Sequence, residues 1–165
     1  MKIYAFPSIS SPTAKILILG TMPGEASLRA KEYYGHPRNH FWKFLFNICQ
    51  QPFSTDYETK KNLLLQNNMA LWDVLQACER QGSLDSAIVK EVPNDFVTFL
   101  KVHPNITNIY FNGQKAAHFF NRYVQTEHIY TMVTLPSTSP ANAGMSFEKK
   151  LAIWQEHILK RITNR

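Results

Sequence analysis

Cysteine is scarce in this chain, with Cys49 and Cys78 the only two and no C-x-x-C pair between them. A zinc ribbon or an iron–sulfur cluster therefore lacks its ligands, and both residues are expected as buried thiols. His36 and His40 stand four apart, but Pro37 lies between them and no H-E-x-x-H pattern occurs, so no metal site is expected. Glycine is also sparse at six residues, and they form neither G-x-x-x-x-G-K-[ST] nor G-x-G-x-x-G. A bound nucleoside triphosphate or dinucleotide thus has no motif behind it, and no cofactor is expected. Long apolar runs are absent too, as is the small-residue cleavage site of a secretory signal after Met1, Lys2 and Ile3. A cytoplasmic protein with no membrane partner is expected.

What is present fits one compact unit. The chain has 165 residues, 44% of them hydrophobic and 18% charged, and no fixed-period repeat. We expect a single domain over residues 1–165, acting as a monomer. Eighteen Lys and Arg against twelve Asp and Glu give a net charge of +6, which suits a polyanionic partner. Part of that excess (Lys149, Lys150, Lys160, Arg161, Arg165) falls on the last helix, where a solvated face is the simpler reading.

Hydrophobic periodicity alternates between two and about 3.6 along the chain. Lys15 to Gly20 is an apolar run ending at glycine, the mark of a buried parallel strand that feeds a loop. Phe41, Trp42, Leu45, Phe46, Ile48 and Cys49 follow at helical spacing, and Tyr57 to Met69 reads as a second helix. Ala70 to Leu75 is a candidate strand, Glu79 to Ser86 a polar segment, and Asn94 to Val102 a helix. Asn108 to Gly113 repeats the strand-then-glycine pattern and precedes a helix carrying Ala116, Ala117, Phe120, Tyr123 and Val124 on one face. Ile129 to Leu135 is β-branched and aromatic, a fourth strand. Ser146 is placed to cap a last helix with Phe147, Leu151, Trp154, Ile158 and Ile162 in register. The pattern predicts an α/β protein, a three-layer α/β/α sandwich around a mostly parallel four-stranded central sheet. In such folds ligands bind beyond the carboxyl ends of the strands. The loops after Gly20, after Asn112 and after Leu135 are therefore expected to meet at one edge.

Those loops carry the unusual residues. Gly20-Thr21-Met22-Pro23-Gly24 brings backbone close to a ligand, because glycine has no Cβ and proline fixes the turn. Tyr33 to Trp42 packs aromatics, a cation and an amide into ten residues. An enzyme that extrudes a base needs a ring to stack on it and polar groups to hold its edge or place a water. In the blander reading Phe41 and Trp42 are core, Asn39 caps the helix and Tyr33 only packs. Ser137 and Ser139 sit in no G-x-S-x-G elbow, so the turn Pro136 to Pro140 is better read as hydroxyls and amides facing a DNA phosphate.

Together these segments resemble the uracil-DNA glycosylase superfamily. Gly20, Pro23 and Gly24, then His36, Pro37, Asn39, Phe41 and Trp42, are similar to its first motif. Tyr33-Tyr34, Phe111-Asn112-Gly113 and Leu135 to Pro140 resemble its hypoxanthine-DNA glycosylase branch most. The resemblance runs from about Lys15 to the last helix. It implies a monofunctional enzyme that hydrolyses the N-glycosidic bond of a deaminated base, above all hypoxanthine, in double- or single-stranded DNA and leaves an abasic site. One position departs: several branches carry an Asp or Asn where this chain has Met22, which cannot orient water. By resemblance to the hypoxanthine branch the water falls to Asn39, the catalytic residue, whose amide positions it rather than deprotonates it. The resemblance further implies that Tyr34 stacks on the flipped base within a pocket formed by Gly20, Thr21, Met22 and Pro23. Asn112 reads the base edge by donating and accepting at once. His36, Ser137, Thr138, Ser139 and Pro140 meet the DNA. Alternatives are a uracil or G·T-mismatch glycosylase of the same fold, a nucleic-acid-binding relative without chemistry, and an α/β enzyme on small molecules.

Overall fold

A computed structural model describes residues 2–163; Met1 and Arg165, used above, lie outside the described residues. Four strands form a parallel sheet in the order β3-β2-β6-β7: β2 is Ile16–Gly20, β3 Met69–Asp73, β6 Asn108–Asn112 and β7 Thr131–Leu135. Side chains alternate across it, as the two-residue period of a strand requires. From β2, Ile16 and Ile18 face one core together with Met69, Leu71 and Tyr110. Leu17 and Leu19 face the other with Ala70, Ile109 and Phe111. This is why β2 and β6 read as continuous apolar runs: both faces are covered.

The first core is closed by α2 (Phe41–Ile48), α3 (Tyr57–Gln66) and α6 (Phe147–Thr163), with Phe41, Phe44, Leu64, Trp154 and Ile158 buried against the sheet. The second is closed by α4 (Phe96–Val102) and α5 (Gln114–Tyr123) through Phe96, Phe99, Ala116, Phe119 and Phe120. Three layers around a parallel four-stranded sheet are thus what the chain forms. Ser146 takes up the helix-start role expected of it, its Oγ accepting from Lys149 N at 3.2 Å. No helix among the described residues is long and apolar enough to cross a membrane.

Some expectations need correcting. The strand read as Ala70 to Leu75 is two strands. β3 stops at Asp73, Val74 turns the chain by donating its N–H to Gly20 O at 2.8 Å, and β4 (Leu75–Glu79) leaves in a new direction. β4 joins β1 (Lys2–Tyr4) and β5 (Val89–Pro93) in a small antiparallel sheet, order β1-β4-β5, that the sequence pattern did not reveal. Its edge strands are largely exposed, so they carry no clear apolar signal. A short helix, α1 (Glu25–Ala30), also follows the first loop. Cys78 is buried as expected, whereas Cys49 is only half-buried.

Candidate active site

Parallel register sets the site. Gly20 pairs with Asp73 and Asn112 with Leu135, so the last residues of all four sheet strands lie along one edge. Beyond them opens a cleft of about 380 Å³. Gly20, Thr21, Met22, Pro23, Tyr34, His36, Asn39, Asn112, Ser137, Thr138, Ser139 and Pro140 all line it, so the residues expected to meet the base, the water and the DNA come together there.

The first loop is held from behind. Met22 packs its side chain into the second core, leaving its main chain to face the cleft. Arg80 donates through Nη2 to Pro23 O at 2.6 Å and through Nε to Gly82 O at 2.8 Å, which ties the 80–87 segment to the loop as one wall. Gly20 is required by close approach: a Cβ there would lie 2.6 Å from Asp73 Oδ1 and 2.6 Å from the Tyr34 hydroxyl.

Tyr33 and Tyr34 divide the two tasks an aromatic pair can have. Tyr33 is buried, donates its hydroxyl to Pro7 O at 2.8 Å and accepts Trp42 Nε1–H on its carbonyl at 2.7 Å, so it packs. Tyr34 holds φ at +54°, a left-handed conformation that costs a side-chain-bearing residue roughly 1–3 kcal/mol. Its ring stacks on Phe41 at 4.2 Å and 26°, and so is presented to the cleft by a rigid core residue. Burial first, then the Asp73 carboxylate, push its phenol well above the usual range, so the hydroxyl stays protonated.

Asn39 is not the N-cap of α2, a position His40 takes; it stands one residue before, where its Oδ1 accepts the Phe41 N–H at 2.9 Å. Because that partner is a donor, it fixes which end of the amide is oxygen. The Nδ2 group is left as the donor on a half-buried residue that lines the cleft. The next residue, His40, donates its N–H to Thr138 O at 3.1 Å and locks this segment to the loop after β7. Burial first, then Lys150 and Lys43, lower the His40 imidazole, which favours its neutral form.

Asn112 is employed differently from the expectation. Its Oδ1 accepts Thr138 N–H at 2.9 Å while its Nδ2 donates to Thr138 Oγ1 at 2.9 Å, and Thr138 is wholly buried. One lone pair of the amide oxygen is thus used, and the amide pins the loop from Ser137 to Pro140 onto the end of β6. Gly113, at φ +95°, makes the turn that allows it. His36 is likewise half-buried, and its Nδ1 accepts from Arg38 N at 3.1 Å, shaping the turn before α2.

Asp73 went unnoticed in the sequence because it was read as one polar residue inside a strand. It is 3% exposed, lines the cleft, and its Oδ2 has no hydrogen-bond partner among the described residues. Burial first, then the neighbouring Asp85, raise its carboxyl from 3.8 to about 7, with Arg80 opposing. Asp85, also in the lining, is raised by burial against a hydrogen bond from Thr21 and the charges of Arg80 and Lys115. The Uracil DNA glycosylase superfamily model matches residues 7–158, nearly the whole fold that builds this edge. The chain belongs to that superfamily.

Relatives and structures agree with the assignment. A hypoxanthine DNA glycosylase of Methanosarcina barkeri is 38% identical over 120 residues, 72% of this chain and 76% of that one. One of Methanosarcina acetivorans is 37% identical over 142 residues, 86% of this chain and 89% of that one. The solution structure of a Methanosarcina acetivorans protein, described as a candidate uracil DNA glycosylase, superposes with a TM-score of 0.86 at 33% identity. The match covers 99% of this chain and 100% of that one. The signal that would have flagged Asp73 is its place beside Gly20 in the register.

Proposed function

We propose that the protein is a monofunctional hypoxanthine-DNA glycosylase, which hydrolyses the N-glycosidic bond of deoxyinosine and leaves an abasic site. The observation that carries this reading is the cleft itself, about 380 Å³ at the strand ends, with Tyr34 and Asn39 both in its lining. Its size falls within the ~300–1,000 Å³ of small-ligand sites, enough for an extruded nucleotide. The names of the Methanosarcina relatives supply the base.

In this reading the flipped base stacks on Tyr34 and turns its polar edge to Asp73 and to the main chain near Met22. Asn112 acts chiefly by holding Thr138. The Asn39 Nδ2 group donates to a water beneath C1′. An amide that donates cannot take that water's proton, so the sugar must develop oxocarbenium character before the water adds. The loop Ser137, Thr138, Ser139 and Pro140, with His36, meets the DNA backbone. The protein works as a cytoplasmic monomer on double- or single-stranded DNA.

The test is single-turnover base release from oligonucleotides carrying one deoxyinosine, deoxyuridine, deoxyxanthosine or G·T mismatch, with alkali revealing abasic sites. Release mainly from deoxyinosine is expected. Release mainly from uracil or G·T would move the protein to another branch of the superfamily, and binding without release would reduce it to a nucleic-acid-binding relative.

A further inference from the structure

Two buried polar atoms of the cleft lining make no hydrogen bond of ordinary geometry among the described residues: Asp73 Oδ2, and the Tyr34 hydroxyl, on which only the Asn112 amide acts. They belong to residues that crowd the same point: a Cβ on Gly20 would lie 2.6 Å from the other Asp73 carboxyl oxygen, Oδ1, and 2.6 Å from the Tyr34 hydroxyl. Folded proteins rarely bury such atoms unsatisfied unless something else completes them. Two such atoms, on residues that meet at Gly20 and line a ligand-sized cleft, mark the place where a polar ligand edge belongs.

The surroundings favour the neutral form of the Asp73 carboxyl. Arg80, the cation acting on it, donates from Nη2 and Nε to Pro23 O and Gly82 O, while its buried Nη1 makes no hydrogen bond among the described residues. Asp85, from the same 80–87 segment, adds a like charge. Tyr33 and Tyr34, from the segment before α2, feel the Asp73 charge and contribute none of their own while protonated. The carboxyl accordingly titrates at about 7 rather than near 4.

We infer that Asp73 is a catalytic acid that delivers a proton to the purine as the glycosidic bond breaks. The inference rests on the hypoxanthine-DNA glycosylase reading and adds to it how the base departs. The electron pair of the C1′–N9 bond goes to the purine, and the proton leaves Asp73 for the same ring, whose most basic nitrogen is N7. The base departs neutral. The water held by Asn39 bonds through its oxygen to C1′ and gives up a proton to solvent, from which Asp73 is reprotonated. With no group at Met22 to activate water and only an amide at Asn39, assistance to the leaving group is the proton transfer this site has available. An ionised Asp73 would instead repel the negative charge that builds on the base.

The experiment is single-turnover release of hypoxanthine from deoxyinosine DNA between about pH 5 and about pH 9, by wild type and by Asp73→Asn, whose amide keeps hydrogen-bonding ability without an acidic proton. Wild type is expected to slow about tenfold per pH unit above about pH 7, while the variant is slower by roughly 100-fold and flat over that range. The loss should shrink on 5-fluorouracil, a base stable as its own anion. A variant that keeps the wild-type rate would reduce Asp73 to a reader of the base edge and overturn the inference, as would a flat wild-type profile. The wild-type profile decides alone if the variant does not fold. Failure of wild type to release hypoxanthine at any pH, with uracil released, would overturn the functional reading itself.

Discussion

Replacing Asn112 by alanine removes both halves of a reciprocal pair and strands two groups of a fully buried residue, the Thr138 N–H and Oγ1. Each stranded group costs ~1–3 kcal/mol, and the hydroxyl can rotate toward entering water, so about 3 kcal/mol in total is expected. At roughly 2–4 °C per kcal/mol for a domain of this size, the melting temperature should fall by about 6–12 °C. The loss does not stay local, because Thr138 O also receives the His40 N–H, next to Asn39. A displacement of about 1 Å there is enough for ~100-fold in base release. Circular dichroism melts and single-turnover release, both alongside Thr138→Ser, which retains both hydrogen bonds, measure the two effects together. Unfolding within about 1 °C of wild type with a large loss of rate would refute the pinning role and return the amide to the base.

Three further outcomes are expected. Asn39→Ala should lower base release by at least ~100-fold while costing about 1 kcal/mol of stability for the lost bond to Phe41 N, and activity within a few-fold of wild type would remove it as the water-holding residue. Gly20→Ala should destabilise by ~1–3 kcal/mol through overpacking against Asp73 and Tyr34 and should abolish base release. Its non-specific DNA binding at low salt should be unchanged, since phosphate contacts carry that term; a filter-binding titration reads it. For pH, the folded Asp73 carboxyl titrates at about 7 and the unfolded one near 3.8, so between those values the folded chain holds a proton that the unfolded chain releases. The resulting stabilisation is complete below about pH 4 and lost as pH rises to about 7, on the order of a few kcal/mol. Wild type should therefore fall relative to Asp73→Asn across that window in urea denaturation, and parallel curves would refute the shift.

The sequence by itself determined the layers. Runs such as Ile16 to Leu19 and Asn108 to Asn112, buried on both faces, can only be central parallel strands, and the helices around Phe41, Ala116 and Trp154 have one apolar stripe each to lay against them. It also determined the edge at which a site must form, since a glycine or asparagine ends each inner strand and Gly20, Thr21, Met22, Pro23, Asn112 and Ser137 to Pro140 line one cleft there. Local pattern could not separate β3 from β4. The break at Val74 is set by a hydrogen bond to Gly20, 54 residues earlier in the chain, and β1 and β5 have too few buried side chains to show a period. Nor could it give Asp73 its character or Asn112 its partner. A carboxyl is ordinary until neighbours from β2, the segment before α2 and the 80–87 wall strip it of water, and an amide's task depends on the residue folded against it. Burial and partnership arise between distant segments, which only the tertiary structure brings together.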